Sequence, residues 1–162
     1  MIWQGRFDGE DPLYHRIFQR VSLETDYTSI SPNDFVLHGF AVDEGVKRNK
    51  GRVGAKEAPD IIRKNMSNFP VISPEFSLKD FGNITCENGN LEGAQNELAE
   101  KVAEVLKKSG KSIVLGGGHE VTFAHYSGIR KAFPQSKIGI INIDAHFDNR
   151  EPEVGIGASS GT

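Results

Sequence analysis

Short apolar runs alternate along the chain with stretches in which apolar residues recur at helical spacing. The runs that predict strands are Asp34–Val42, Phe76–Phe81, Ser112–Leu115 and Lys137–Ile143. The clearest helical pattern covers Leu91–Lys108, where apolar residues recur every three or four positions and Gly110 follows the end. Helices are also predicted over Ala58–Met66 and 121–133. Strand and helix therefore alternate from residue 34 onward.

The first 34 residues are polar and mixed, and we interpret them as an N-terminal extension with a short helix between Asp11 and Val21. Residues 35–162 are then expected to be the N-terminal part of a single α/β domain, in which the Gly-rich segment Asp43–Gly54 is predicted to be a loop. Strands that are apolar on both faces and separated by helices pair in parallel. The predicted fold class is α/β, a three-layer doubly wound parallel sheet, and such sheets bind ligands beyond the carboxyl ends of their strands.

Composition and charge narrow the class of protein. The 162 residues have a mass of 17.8 kDa and a formal charge of −3, which argues against a nucleic-acid partner or an anionic membrane surface. No apolar run approaches the roughly 20 residues of a membrane span, and the N-terminus lacks the pattern of a signal peptide. The single cysteine, Cys86, excludes an internal disulfide framework and fits the reducing cytoplasm.

Unusual polar residues follow two of the predicted strands, in the segments Gly116–Glu120 and Asp144–Asp148. In extended backbone Asp144, His146 and Asp148 point to one face, and a neighbouring parallel strand brings His119 beside them. Carboxylates and imidazoles gathered on one face repel and desolvate one another unless a cation binds. The spacing therefore predicts a divalent metal site. Because the segments contain no thiolate, manganese, magnesium or iron is favoured over structural zinc.

Other interpretations of these motifs fit less well. The three glycines at 116–118 resemble a dinucleotide-binding turn, but Val121 stands where that pattern needs its third glycine. The sequence contains no phosphate-binding G-x-x-x-x-G-K-[ST] loop. A single Asp or His after a strand is usually a helix cap or a packed residue, whereas an alternating Asp-x-His-x-Asp pattern is not explained in that way.

At these positions the sequence resembles the ureohydrolase family, which includes the arginases. The resemblance lies in the two motifs Gly116–Glu120 and Asp144–Asp148, and it extends to Gly39–Ala55 and to the helix that starts near Ala58. It therefore covers most of residues 35–162. The resemblance implies a sheet of the arginase type and a metal-dependent hydrolase.

Details within the motifs resemble one branch of that family. They are Gly118 in the first motif, Phe147 in the second, Arg150 just after it, and the segment Asn49–Arg52. This branch hydrolyses the linear amidine C–N bond of N-formimidoyl-L-glutamate, giving L-glutamate and formamide in histidine degradation. The resemblance therefore implies a small amino-acid-derived substrate.

The resemblance also implies how the metal is held. Two manganese ions are expected, with His119 and Asp148 on the first, His146 on the second, and Asp144 bridging both. A third motif of the family, a strand-end Asp-x-Asp with two further ligands, has no counterpart in these residues. The chain therefore supplies four of six expected ligands, and its sheet is expected to be incomplete on the C-terminal side.

Substrate contacts are expected from Arg150, Ser160, Asn49 and Arg52, with Arg150 meeting a carboxylate of the substrate. Arg150 fits equally well as a surface residue paired with a nearby glutamate, and Asn49 and Arg52 as plain loop residues. Glu120 is interpreted either as a partner that orients a metal ligand or as a first-turn helix carboxylate.

We interpret the chain as the N-terminal part of a longer homo-oligomeric enzyme. Residues 1–162 alone are then expected to bind manganese weakly, to turn over little or no substrate, and to aggregate through an open strand edge. Two alternatives stay open. One is another ureohydrolase, agmatinase- or arginase-like, that acts on a guanidino substrate, and the other is a non-catalytic α/β module that keeps a partial metal site.

Overall fold

The computed structural model describes residues 2–147, 150–151, 154–155, 157 and 159–161. Its strands form one parallel sheet with the order β1-β3-β2-β4. The strands are β1 (Val21–Leu23), β2 (Phe35–Ala41), β3 (Leu78–Thr85) and β4 (Lys111–Leu115). The helices are α1 (Glu44–Arg48), α2 (Ala58–Met66), α3 (Leu91–Lys107) and α4 (Val121–Ala132). Single 3-10 turns lie at Pro12–Tyr14, Ile17–Gln19, Tyr27–Ser29 and Ala55–Glu57. The predicted α/β class with a parallel sheet is confirmed.

β2 is one of the two interior strands of the sheet, because β3 pairs with one of its edges and β4 with the other. Successive side chains point to opposite faces. Phe40 packs in a cluster with residues of α3 and α4, whereas Leu37 packs in a cluster with Ile62 and Met66 of α2. Helices therefore cover the sheet on both sides, and the fold has three layers.

β3 contains a bulge that reverses its alternation. Leu37 pairs with Asp80 and Gly39 with Asn83, so β3 advances three residues where β2 advances two. Gly82 has a φ of 76°, a backbone angle that residues with a Cβ atom rarely adopt. As a result Leu78 packs in the cluster on the α2 side, while Ile84 packs in the cluster on the α3 side.

α3 forms because its apolar residues make one stripe and its first turn is capped. The Asn90 side chain accepts a hydrogen bond from Gly93 N at 3.0 Å, which satisfies a backbone donor in the first turn. The buried stripe packs against α4, where Gly128 lies close to Val102. None of the helices in the described ranges is long and apolar enough to cross a membrane.

The N-terminal segment lies against the sheet through a buried polar cluster. Trp3 is buried, and its indole Nε1 donates to Asp80 Oδ2 at 2.7 Å. Arg63 of α2 makes two hydrogen bonds of 2.8 Å to the same carboxylate and is 1% exposed. A buried ion pair is stable only when its hydrogen-bonding groups are satisfied, so Trp3 helps to complete this cluster.

The predicted strand at Lys137–Ile143 was wrong for this structure. These residues lie outside the sheet, and Ile141 and Ile143 are 92% and 96% exposed. A strand that is apolar on both faces needs cover on both of them, and no helix follows this run among the residues described. Asp144 and His146 therefore follow a segment that belongs to no helix or strand.

Three smaller elements also differ from prediction. The helix predicted between Asp11 and Val21 is instead two 3-10 turns followed by β1. The strand predicted at Phe76–Phe81 starts two residues later and continues through the bulge to Thr85. The predicted loop Asp43–Gly54 contains α1, a helix of five residues.

Candidate metal centre and substrate cleft

The turn between β4 and α4 carries His119 and depends on two of its glycines. A Cβ atom at Gly117 would overlap the backbone oxygen of Val42, and one at Gly118 would overlap the carboxylate of Glu120. Gly118 N donates to Val42 O at 2.9 Å. The turn therefore lies directly against the end of β2, which places His119 at the carboxyl edge of the sheet.

Glu120 occupies the N-cap position of α4, but its side chain does not cap that helix. The carboxylate is 3% exposed, and Oε1 accepts a hydrogen bond of 2.9 Å from Gly45 N in the first turn of α1. Burial raises the pKa of Glu120, although the backbone amides of Gly45 and Val46 act in the opposite direction. Of the two interpretations of Glu120, the first-turn carboxylate of its own helix is wrong, since Glu120 precedes the first turn of α4 and its side chain accepts a hydrogen bond from α1 instead.

Gly45 links this contact to the substrate side. Its carbonyl oxygen accepts hydrogen bonds from Asn49 N at 3.0 Å and from Ser160 N at 3.2 Å. A Cβ atom at Gly45 would lie 2.5 Å from the carboxyl carbon of Glu120, so only glycine fits here without a shift. Two predicted substrate residues, Asn49 and Ser160, are therefore anchored to the same peptide.

Arg150 joins the same group of loops. Its Nη2 donates to Asn49 Oδ1 at 2.8 Å, and its Nε donates to Gly161 O at 3.2 Å. Three of the four predicted substrate residues, Arg150, Asn49 and Ser160, thus lie in one hydrogen-bonded cluster. The fourth, Arg52, is an exposed residue of the loop that follows α1. Among the described residues Arg150 forms no salt bridge with Glu151, and Glu153, the other glutamate considered as its partner, lies outside them.

His119 faces a cleft of about 410 Å³ beside the turn. Its walls include Glu120, Phe123 of α4, Asn142 and Phe147. The segment that precedes Asp144 therefore forms one side of the cleft, and the turn after β4 forms the other. This arrangement gives a small ligand access to His119, whereas Asp144 and His146 are not among the residues that line the cleft.

Asp144 and His146 form a local pair. Asp144 Oδ1 accepts a hydrogen bond from His146 N at 2.8 Å and lies 3.3 Å from His146 Nδ1. The backbone N–H of His146 lowers the pKa of Asp144, and the imidazoles of His146 and His119 act in the same direction. A carboxylate that is ionised at neutral pH can bind a cation without first losing a proton.

The donor types suit manganese, since they combine carboxylate and imidazole without thiolate. Within the described ranges, however, no three His, Cys, Asp or Glu side chains lie close enough together to hold a metal ion. The fourth predicted ligand, Asp148, lies outside the described residues. The assignment of His119, Asp144, His146 and Asp148 as metal ligands therefore stays a prediction.

The sequence interpretation missed two residues that shape this site. The sequence predicts Gly45 to be part of a loop, and nothing in its sequence neighbourhood marks it as a contact of Glu120. Gln95 of α3 is buried, and its Nε2 donates to the backbone oxygen of Glu120 at 3.0 Å. Its signal was present, because Gln95 stands four residues after Leu91 on the apolar stripe of the helix.

Comparison with known proteins gives the following relatives. The model of the arginase family matches residues 33–162. A formimidoylglutamase of Vibrio vulnificus is 46% identical, over 99% of this chain and 50% of its own length. A formimidoylglutamase of Staphylococcus carnosus is 41% identical, over 99% of this chain and 52% of its own length. The chain therefore spans about half the length of the curated relatives it matches.

Solved structures that superpose on this chain include a formiminoglutamase and a formimidoylglutamase. The crystal structure of Trypanosoma cruzi formiminoglutamase with Mn²⁺ superposes with a TM-score of 0.73 at 34% identity, over 80% of this chain and 46% of that one. A formimidoylglutamase of Bacillus subtilis superposes with a TM-score of 0.79 over 98% of this chain and 49% of that one. Its identity is 19%, so it supports the fold alone.

Proposed function

The chain belongs to the arginase family, and from this premise we propose that its protein is a formimidoylglutamase, which hydrolyses N-formimidoyl-L-glutamate to L-glutamate and formamide. The observation that carries the proposal is similarity over 99% of the chain to formimidoylglutamases, at 46% and 41% identity. Because the chain spans about half of those relatives, the proposal concerns a longer protein. These 162 residues supply one part of its site.

The proposed reaction breaks one C–N bond and consumes one water. The water oxygen adds to the formimidoyl carbon, and the bond from that carbon to the glutamate nitrogen then breaks. The carbon leaves as formamide with the oxygen and its other nitrogen, and the glutamate nitrogen takes up a proton. The site must therefore position a trigonal carbon and hold the glutamate end in place.

We infer that His119, Asp144, His146 and Asp148 hold two manganese ions, together with ligands from the part of the protein that matches the other half of the relatives. Such a pair of ions would supply a bound water whose pKa is lowered, so that a hydroxide nucleophile forms more readily at neutral pH. The imidazoles bind a cation as neutral donors, and Asp144 binds it as a carboxylate. Support comes from the donor types, from the position of the segment before Asp144 beside His119 in one cleft, and from the family.

Arg150 is proposed to bind a carboxylate of the substrate. Guanidinium groups match carboxylates through paired N–H donors, and described contacts of Arg150 use its Nε and Nη2. Asn49 orients the guanidinium through its side-chain oxygen. Ser160 and Arg52 complete the proposed substrate contacts, Ser160 through the loop that Gly45 anchors.

We also propose a metabolic pathway, a cellular location and an oligomeric state for the enzyme. We propose that the reaction belongs to histidine degradation, as the resemblance to formimidoylglutamases implies. A single cysteine supports a cytoplasmic location, where disulfides are rare. Family membership supports a homo-oligomer, whose partners are copies of the same chain rather than nucleic acid or a membrane.

The deciding experiment is a product assay on the full-length protein loaded with manganese. We expect formamide and glutamate from N-formimidoyl-L-glutamate, and no urea from arginine or agmatine. Urea from a guanidino substrate, with no formamide, would instead support the agmatinase- or arginase-like alternative. Manganese binding without turnover of either substrate class would support the non-catalytic module.

A further inference from the structure

The contact between Glu120 and Gly45 joins the two sides of the candidate site. His119 and Glu120 are consecutive residues of the turn after β4. Gly45 belongs to α1, on the loop after β2, and its carbonyl oxygen accepts hydrogen bonds from Asn49 N and Ser160 N. A short path of hydrogen bonds therefore links the turn that carries His119, a predicted metal ligand, to the predicted substrate residues Asn49 and Ser160.

We propose that Glu120 is a positioning residue, which fixes the turn that carries His119 against the loop that carries Asn49 by accepting the hydrogen bond from Gly45 N. Resting on the proposed function, this inference assigns Glu120 no contact with substrate or metal. Its effect is to hold the imidazole of His119 and the side chain of Asn49 at a constant separation.

The burial of Glu120 supports this role over an incidental contact. A buried carboxylate is costly unless several groups bind it, and Oε2 of Glu120 has no hydrogen-bond partner among the described residues. Gly118 and Gly45 leave space for the carboxylate that any Cβ would fill. The backbone oxygen of the same residue is held by Gln95. Both loops are therefore shaped around this one side chain.

The remaining ties of the turn show what depends on Glu120. The backbone bond from Gly118 to Val42 holds the turn at the end of β2. It does not reach α1, where Gly45 lies. Loss of the Glu120 carboxylate therefore leaves the turn attached to the sheet. It removes the hydrogen bond from Gly45 N, which ties the turn to the loop that carries Asn49.

The test is manganese titration of the full-length protein by calorimetry, with thermal melting in parallel. We expect Glu120→Ala to weaken manganese binding by about 10- to 100-fold, the usual effect of losing a residue that orients a metal ligand. Glu120→Gln keeps an oxygen acceptor for Gly45 N and should stay within about threefold of wild type. Glu104→Gln, an exposed glutamate on α3, is the control and should not change binding.

A second pair of variants tests the same contact if Glu120→Ala does not fold. Gly45→Ala places a methyl group against the carboxyl carbon, and should weaken manganese binding about tenfold. Adding Glu120→Asp withdraws that carbon, so the double variant should bind manganese more tightly than Gly45→Ala alone. Strictly additive losses, or wild-type binding in Glu120→Ala, would overturn the proposal.

Kinetics separate this inference from the proposed function. If the wild-type protein binds manganese but releases no formamide, the proposed function fails, and the titration still decides the role of Glu120. If formamide is released, Glu120→Ala should lower kcat and raise KM together, because the turn that carries His119 and the loop that carries Asn49 both shift. A loss of melting temperature with unchanged kcat, KM and manganese affinity would show a merely structural role and overturn the proposal.

Discussion

Backbone N–H groups make several of the hydrogen bonds that hold the residues of the candidate site in place. Asp144 accepts a hydrogen bond from the amide two residues later, and Asn49 and Ser160 donate from their own amides to Gly45. Asp26 in the N-terminal segment repeats the geometry of Asp144, since its Oδ1 accepts from Thr28 N at 2.8 Å. The turn geometry is thus common to both aspartates, and only Asp144 has two histidines acting on it.

This pair of aspartates gives a matched test of the metal prediction. We expect Asp144→Ala to weaken manganese binding by the full-length protein by at least 100-fold, because a bridging carboxylate contributes to both predicted sites. Asp26→Ala removes the same kind of turn and should leave binding unchanged. Calorimetric titration with manganese chloride measures both. Equal affinities for the two variants would remove Asp144 from the ligand set.

His38 gives a second prediction at this scale. It is fully buried on β2, where its Nε2 lies 2.6 Å from Tyr27 Oη. Burial lowers the pKa of His38 to about 4, and charged neighbours modify the shift. These neighbours are Lys101, Asp80, Arg63 and His125, of which only Asp80 opposes it. The folded protein therefore keeps His38 neutral at pH values where the unfolded chain protonates it.

The direction of the pH dependence of stability follows from the linkage between proton binding and folding. Below pH 6.5 the unfolded state binds a proton that the folded state does not, so stability falls with pH until about pH 4. Between pH 7 and pH 4.5 this group alone should lower the free energy of unfolding by about 2 to 3 kcal/mol. Urea unfolding at both pH values measures the loss, which should shrink by that amount in His38→Gln. The same pH dependence in both proteins would exclude His38 as the cause.

At the scale of elements, the sequence predicted the three longest helices closely. α2 and α3 match their predicted ranges within one residue, because a long 3.6-residue pattern and clear end signals define them. α1 was missed, since its first turn is stabilised by Glu120 from a distant part of the chain. β3 was predicted too short because Gly82 and Asn83 indicate a turn, whereas the structure uses them in a bulge.

The candidate site was predictable in composition but not in arrangement. The motif spacing marked His119, Asp144 and His146, and the structure places the segment before Asp144 beside His119 in one cleft. The link from Glu120 to Gly45 was not predictable, because it joins residues 75 positions apart through a backbone amide. Every residue has such an amide, so a sequence pattern does not mark which one is used.

The packing of α3 on α4 supports a prediction at the same scale. A Cβ at Gly128 would lie 2.6 Å from Val102 Cβ and 2.7 Å from Ala99 O. Gly128→Ala gains about 1 kcal/mol of helix propensity but overpacks the interface by about 1 to 3 kcal/mol, so we expect a net loss of stability. Gly139→Ala is the control, because its Cβ meets no atom within 4 Å. Thermal melting should show a lower midpoint only for Gly128→Ala.

For the whole molecule, an apolar surface lies beside the last strand of the sheet. Ile140, Ile141 and Ile143 are exposed, and β4 pairs only with β2 among the residues described. Exposed apolar runs and open strand edges both favour association between molecules. The isolated 162-residue chain should therefore self-associate in solution.

A charge placed in this surface should reduce the association. We expect Ile141→Lys to shift the isolated chain toward monomer in light scattering, because the added charge opposes contact between apolar faces. Ile72→Lys is the matched control, since Ile72 is 94% exposed on a loop between α2 and β3. A wild-type chain that is monomeric at all concentrations would contradict this expectation.

The strand order β1-β3-β2-β4 also has a consequence for how the chain reaches this fold. Phe35 of β2 faces Leu78 on one side and Lys111 on the other, so neither neighbour is close in sequence. Long loops must close before these pairs form, and topologies of that kind fold slowly. During synthesis β2 acquires both neighbours only after β4 has left the ribosome. Until then at least one edge of this apolar strand has no neighbour and can pair with other chains.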